Sequence, residues 1–97
     1  MKTVTKRWGF EITWNIGGTC DSKDGYENYK EDMQQCCVKD NDKIVITCKD
    51  LLGDGWHGGY LEINGKKYCE HFSFGKEFLD ELSACDLDGS CEPGLII

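Results

Sequence analysis

Seven cysteines among 97 residues constrain this chain more than any other feature of its sequence. A chain of this length is expected to form a single domain, residues 1–97, whose core alone leaves a small margin of stability. Disulfides add stability largely by restricting the unfolded chain, and they persist in oxidising compartments. The sequence therefore predicts a disulfide-stabilised domain located outside the cell or at the cell surface.

The residues expected to form disulfides are Cys20, Cys36, Cys37, Cys48, Cys69, Cys85 and Cys91. Because their number is odd, at least one has no partner within the chain and is either free or bridged to another molecule. Neighbouring residues in a strand point to opposite faces, so Cys36 and Cys37 are expected to serve different bridges. Cystines at Cys20 and at Cys36 or Cys37 would hold the intervening loop in place.

Hydrophobic alternation indicates three strand regions. Residues 8–16 place Trp8, Phe10, Ile12, Trp14 and Ile16 at every second position, the pattern of a strand with one apolar face. Residues 43–49 form a short β-branched strand. Residues 60–63 and 66–69 flank Asn64-Gly65, a pair that favours the type I′ turn of a β-hairpin.

Short strands separated by turns predict an all-β, β-sandwich-like domain of antiparallel strands. The polar stretch 20–35 is expected to be a long loop with one helical turn over 29–35. Residues 76–84 have apolar residues spaced as in a short amphipathic C-terminal helix. The ends, 1–7 and 92–97, are expected to be flexible.

The net charge of −7 limits the classes of partner. Nucleic acids and anionic membranes are bound through basic surfaces, so neither is expected here. No apolar run approaches the length of a transmembrane helix, and membrane insertion is therefore not expected. An acidic chain is compatible with bound cations, above all calcium.

The glycine-rich loop, residues 50–59, carries the clearest functional signal. It combines two aspartates with four glycines, which let backbone carbonyls approach one another. Calcium takes six to eight oxygen ligands of these kinds, so the predicted ligands are Asp50, Gly53, Asp54 and Gly55. The structural alternative is a tight loop in which aspartates cap backbone N–H groups and Trp56 fills the core.

A second acidic run, Asp86 and Asp88, is a weaker candidate for calcium binding. Its alternative is a turn closed by a disulfide between Cys85 and Cys91. Within the glycine-rich loop, Trp56 and His57 are the candidates for ligand contact. The cysteine spacings do not match a zinc site, and no arrangement of Ser, Cys and His matches a catalytic motif, so no catalytic residue is predicted.

The central third of the chain resembles a recurring module of secreted and surface proteins. The resemblance is carried by Cys36-Cys37, by residues 46–50 and 53–63, and by Tyr68-Cys69. The hallmark of the module is Asp-Ser-x-Gly-Asp-Gly-Trp-Asn/His-Gly before a hydrophobic strand. The resemblance implies a β-sandwich-like extracellular domain without enzyme activity. Leu51-Leu52 departs from the hallmark, which weakens the transfer of ligand roles to those two positions.

Two functions of different classes follow from these features. The first is a non-catalytic, calcium-stabilised extracellular binding module with a protein or carbohydrate partner. The alternative is a structural subunit that assembles with its own copies into a filament, a matrix or a disulfide-linked oligomer. The odd cysteine and the open edges of a small sheet would permit that homo-oligomer.

Overall fold

The computed structural model describes residues 1–39, 43–87, 89–90 and 94–97. Within these ranges the chain forms eleven strands and two three-residue 3-10 helices, Gly9–Glu11 and Ala84–Asp86. The strands are β1 (Lys2–Val4), β2 (Ile12–Ile16), β3 (Cys20–Asp21), β4 (Glu31–Met33), β5 (Cys37–Lys39), β6 (Lys43–Asp50), β7 (Tyr60–Ile63), β8 (Lys66–Tyr68), β9 (Glu77–Ser83), β10 (Gly89–Ser90) and β11 (Gly94–Ile96).

The strands form three antiparallel sheets. The first has the order β4-β1-β7-β8, the second β3-β2-β6-β9, and a small third sheet β10-β11-β5. Buried residues from all three sheets belong to one hydrophobic cluster, which includes Ile46, Leu61 and Val38. This confirms the predicted small all-β domain of antiparallel strands.

β6 and the β7–β8 hairpin lie where the sequence predicts them. Ile44, Ile46 and Cys48 alternate inward along β6 and are buried. The hairpin turns at Asn64 and Gly65, whose φ angles are 49° and 82°. Both angles are positive, as a type I′ turn requires.

Disulfides connect these elements. Cys20 pairs with Cys36, and Cys48 pairs with Cys69. Cys37 is also disulfide-bonded, so the two adjacent cysteines serve different bridges, as predicted.

The predicted disulfide at Cys85 is wrong, because this residue is free and exposed. The turn between Cys85 and Cys91 is therefore not closed by a bridge between those two cysteines. Cys91 itself lies outside the described residues.

The strand predicted from residue 8 begins only at Ile12. Trp8 adopts a left-handed conformation with φ 60°, and the following 3-10 helix breaks the alternation. Gly9 fixes this path, since a Cβ there would lie 2.5 Å from the carbonyl oxygen of Glu27. Trp8 and Phe10 are consequently 46% and 54% exposed, and their predicted place in the core is wrong, whereas Trp14 is buried as expected.

Two predicted helical segments are strands instead. Residues 76–84 contain β9, which pairs with β6 from Lys49↔Glu77 to Lys43↔Ser83. The apolar residues Phe78 and Leu82 are four apart, a spacing that suits one face of either a helix or a strand. The predicted helical turn within 29–35 is the strand β4, which pairs with β1.

Both chain ends that were expected to be flexible contain strands. β1 lies between β4 and β7 and pairs with each of them. β11 lies between β10 and β5. Glu92 and Pro93, the first two residues of the second end, lie outside the described residues.

Candidate metal centre

The pairing of β2 with β6 brings together two acidic residues that are distant in sequence. Ile12 lies opposite Asp50 in the register of the two strands, so Glu11 reaches the start of the glycine-rich loop. The backbone N–H of Leu51 donates to the carbonyl oxygen of Glu11 at 3.1 Å. Glu11 and the loop thus share one corner of the second sheet.

Tight backbone packing fixes the path of the glycine-rich loop. A Cβ at Gly55 would lie 2.5 Å from the carbonyl oxygen of Phe72, and φ at this glycine is +79°. The Trp56 backbone N–H donates to the same oxygen at 2.9 Å. The loop is therefore held against the segment that follows β8.

Trp56 fills the core beneath the loop. Its side chain is fully buried, and its indole Nε1–H donates to the carbonyl oxygen of Lys49 at 2.9 Å. A ring with no exposed face cannot stack on a ligand, so the prediction that Trp56 contacts a ligand is wrong. Trp56 therefore fills the core, which is the role that the structural alternative assigns to it.

Asp50 organises the loop through one of its two carboxylate oxygens. Oδ2 accepts hydrogen bonds from the backbone N–H of Asp54 at 2.7 Å and of Gly55 at 3.1 Å. Oδ1 is buried and has no hydrogen-bond partner among the described residues. Asp50 therefore caps the loop, as the structural alternative predicts, and retains one oxygen whose bonding capacity is unused.

Glu11, Asp54 and His57 form a carboxylate–histidine cluster. One potential ligand atom from each lies within 4.8 Å of the other two. His57 Nε2 is 3.3 Å from Asp54 Oδ2, and these side chains are 27% and 48% exposed. The cluster thus extends from the buried Glu11 to two partly exposed side chains.

Glu11 is the most unusual member of the cluster. The residue is 2% exposed, and neither of its carboxylate oxygens has a hydrogen-bond partner among the described residues. A buried charge without a partner is costly, and such groups are normally paired or bound to a metal. The arrangement would become favourable if a cation lay between the three side chains.

The electrostatics of the site follow from burial and from mutual repulsion. Burial raises the pKa of Glu11, and the nearby carboxylates of Asp50 and Asp54 raise it further. Burial likewise raises the pKa of Asp50, and its side-chain contact with Asp54 adds to the rise. The same contact lowers the pKa of Asp54. Without a cation, the site therefore resists carrying its full negative charge.

The remaining predicted ligands have other roles in the structure. The Gly53 carbonyl oxygen accepts from the Gly75 N–H at 2.8 Å, and Gly55 contributes its N–H to Asp50. Asp86 forms an ion pair with Lys66 at 3.0 Å and is not part of the cluster. Asp88 lies outside the described residues.

Glu11 is the site residue that sequence reasoning misses. In the alternating pattern of residues 8–16 it falls among the polar positions, which indicates a solvent-facing side chain. The 3-10 helix Gly9–Glu11 breaks that pattern and turns Glu11 inward. The local sequence does not predict that Glu11 belongs to the site, because only the register of β2 with β6 brings Glu11 close to Asp50.

Comparisons with protein-family models, with curated proteins and with solved structures found no match to this chain. Across the described residues, no helix has the length and apolar character needed to cross a membrane. The geometry of the carboxylate–histidine cluster is therefore the main basis for assigning a function.

Proposed function

We propose that this protein is a non-catalytic extracellular binding module whose glycine-rich loop is stabilised by a divalent cation. The observation that carries the proposal is the buried Glu11 carboxylate, which has no hydrogen-bond partner and lies in a cluster with Asp54 and His57. A cation there would neutralise the cluster and join β2 to the loop. Calcium is the ion that the composition of the loop favours.

The disulfides support the extracellular part of the proposal. Cys20–Cys36 and Cys48–Cys69 are formed, and Cys37 is disulfide-bonded as well. Such bonds are rare in reducing compartments and common in small secreted domains. The domain is of the size for which such bonds add a large share of the stability.

A surface pocket beside the cluster supports the binding part of the proposal. The pocket has a volume of about 390 Å³, and Phe10, Leu51, Lys49 and Lys76 are among the residues that line it. Phe10 is 54% exposed and Leu51 is 65% exposed. Exposed apolar side chains beside amino groups suit a protein or carbohydrate partner.

Thermal unfolding tests the proposed cation directly. We expect a divalent ion at about 100 times its Kd to stabilise the oxidised protein by about 2.7 kcal/mol relative to EDTA, because the ion binds only the folded state. Glu11→Gln should abolish this gain, whereas Glu27→Gln, which replaces an exposed carboxylate, should retain it. The proposal fails if neither calcium nor any other divalent ion tested raises the melting temperature of the wild-type protein.

A second candidate function is self-assembly as a structural subunit. Cys85 is free and exposed, and β9 pairs with β6 but with no other described strand. Leu79 on β9 is 62% exposed. An open strand edge and a free thiol are both routes to assembly.

The test of self-assembly is sedimentation and a non-reducing gel on wild-type and Cys85→Ser proteins. Covalent oligomers in the wild type alone would identify the thiol as the link. Oligomers in both proteins would indicate association through the sheet edge or another surface. Monomers in both, at high protein concentration, would rule out self-assembly as the function.

A further inference from the structure

The donor atoms of the carboxylate–histidine cluster indicate which class of ion it prefers. Calcium is a hard cation and takes oxygen ligands, usually six to eight of them. The cluster instead offers one imidazole nitrogen together with two carboxylates. Imidazole suits zinc and the neighbouring transition metals, which need fewer ligands.

We infer that the cluster formed by Glu11, Asp54 and His57 is a site for a zinc-class divalent ion and prefers such an ion to calcium. The inference rests on the proposed cation site and specifies its chemistry. It revises the calcium prediction, which rests on the net charge and on the oxygen donors of the glycine-rich loop and of the second acidic run. The structure adds the Glu11 carboxylate from outside the loop and places the His57 imidazole against Asp54.

The distance between two of the three ligand atoms fits an ion of this class. Two ligand atoms bound to zinc at about 2.0–2.2 Å in a tetrahedral arrangement lie about 3.4 Å apart. His57 Nε2 and Asp54 Oδ2 are separated by 3.3 Å. All three ligand atoms lie within 4.8 Å of one another, so closure onto an ion requires the partly exposed side chains of Asp54 and His57 to move toward Glu11.

Glu11 provides the fixed side of the site. Its carboxylate is buried at the corner between β2 and the loop, and neither oxygen is engaged by another described residue. Both oxygens can therefore bind the ion without breaking an existing hydrogen bond. Burial also limits the number of positions the side chain can adopt, so the ligand is held in place before the ion arrives.

Asp50 acts as a positioning residue in this arrangement. Its Oδ2 accepts the backbone N–H of Asp54 and so fixes the start of the segment that carries Asp54 and His57. Three protein ligands leave a fourth position of a tetrahedral ion open, as in zinc sites that exchange water or bind a further group. Because Asp54 and His57 are partly exposed, that position would face solvent.

Metal competition against a chromophoric chelator tests the preference, with Zn²⁺ and Ca²⁺ as the probes. The full chain should carry Cys85→Ser, so that the free thiol cannot bind zinc. We expect Zn²⁺ to bind about 100-fold more tightly than Ca²⁺, since only zinc gains from the nitrogen donor. Co²⁺ substituted for zinc should show the intense visible absorption of a tetrahedral site.

Two histidine variants separate a ligand role from a general effect. His57→Asn should weaken Zn²⁺ binding by at least about tenfold, and asparagine tolerates the left-handed backbone at this position, φ 53°. His71→Asn is the matched control, because His71 has a side chain that is 86% exposed and lies outside the cluster. Circular dichroism in EDTA should show that both variants fold.

The outcomes distinguish the two proposals. Calcium binding that equals or exceeds zinc binding would overturn the preference and leave the cation site standing, and so would wild-type zinc affinity in both His57→Asn and His71→Asn. Failure of both ions to bind would overturn the preference, and failure of every other divalent ion tested would overturn the cation site as well. Loss of zinc binding in His71→Asn, with His57→Asn unaffected, would place the ion elsewhere.

Discussion

At the scale of single residues, two buried acidic groups make the stability of the folded state depend on pH and on bound cations. Glu11 and Asp50 are 2% and 3% exposed, and together they hold three buried carboxylate oxygens without hydrogen-bond partners among the described residues. Water would solvate these oxygens in the unfolded chain. The folded state is therefore favoured when the groups are protonated or when a cation neutralises them.

This burial predicts the pH dependence of the metal-free protein. The folded-state pKa values of Asp50 and Glu11 are raised above their ordinary values of 3.8 and 4.5. Their contribution to the free energy of unfolding is therefore fully present below the ordinary pKa values. It is lost as pH rises through the folded-state pKa values. The pKa of Asp54 is lowered, so this residue acts in the opposite sense. Its contribution to the free energy of unfolding is lost only as pH falls below the ordinary pKa of 3.8.

Urea unfolding in EDTA should therefore show the stability of the wild-type protein falling as pH rises from about 4 into the neutral range. Glu11→Gln should reduce that fall, because the amide carries no charge at any of these pH values. A saturating divalent ion should also reduce it. A wild-type stability that rises over this range would contradict the assignment of Glu11 and Asp50 as buried, uncompensated acids.

A second prediction concerns the close packing at Gly55. A Cβ there meets the Phe72 carbonyl oxygen at 2.5 Å, whereas a Cβ at Gly18 meets nothing within 4 Å. The φ angles of the two glycines are nearly equal, +79° and +78°, so the cost of the left-handed backbone is matched. Gly18→Ala should cost about 1–2 kcal/mol, and Gly55→Ala should cost more and weaken metal binding. Equal costs would show that the loop is not pinned at Gly55.

At the scale of elements, local patterns predict the strands whose neighbours do not distort them. β6 and the β7–β8 hairpin follow from alternation and from the Asn64-Gly65 turn. The start of β2 does not, because the close approach of Gly9 to Glu27 overrides the local pattern. β9 does not either, because its pairing with β6 overrides the helical spacing of its apolar residues.

The same distinction applies to the candidate site. Asp50, Asp54 and His57 belong to one contiguous loop, so composition suffices to select them, although it assigns His57 to ligand contact and only the two aspartates to a metal ion. Glu11 reaches the site only through the register of β2 with β6 and the 3-10 helix before β2. Neither feature can be derived from residues 8–16 alone.

The disulfide between Cys48 and Cys69 gives a prediction about how the sheets are held together. Cys48 on β6 is joined to Cys69 at the end of the β7–β8 hairpin, 21 residues later, so the bond links the two larger sheets. Closing a loop of this length should contribute about 3 kcal/mol. Replacing both cysteines with alanine should therefore lower the free energy of unfolding by about that amount or more, as measured in urea. A loss below about 1 kcal/mol would show that packing alone holds the sheets together.

At the scale of the whole molecule, the proposed ion joins parts that the two disulfides lying wholly within the described residues do not. The two complete disulfides of the described residues tie Cys20 to Cys36 and Cys48 to Cys69. The carboxylate–histidine cluster instead spans the start of β2 and the glycine-rich loop, which borders the pocket with Phe10 and Leu51. An ion at this point would fix the loop and the pocket together, and it would reduce the repulsion within a chain of net charge −7.

Metal content after dialysis tests directly whether the carboxylate–histidine cluster holds an ion through Glu11. Cys85→Ser protein and the same protein with Glu11→Gln would be dialysed against zinc, then against metal-free buffer, and analysed by mass spectrometry for bound metal. We expect about one zinc ion per chain in the first protein and essentially none in the second, because Glu11 would supply the buried ligand. Absence of metal from both proteins, or equal retention in both, would contradict this expectation.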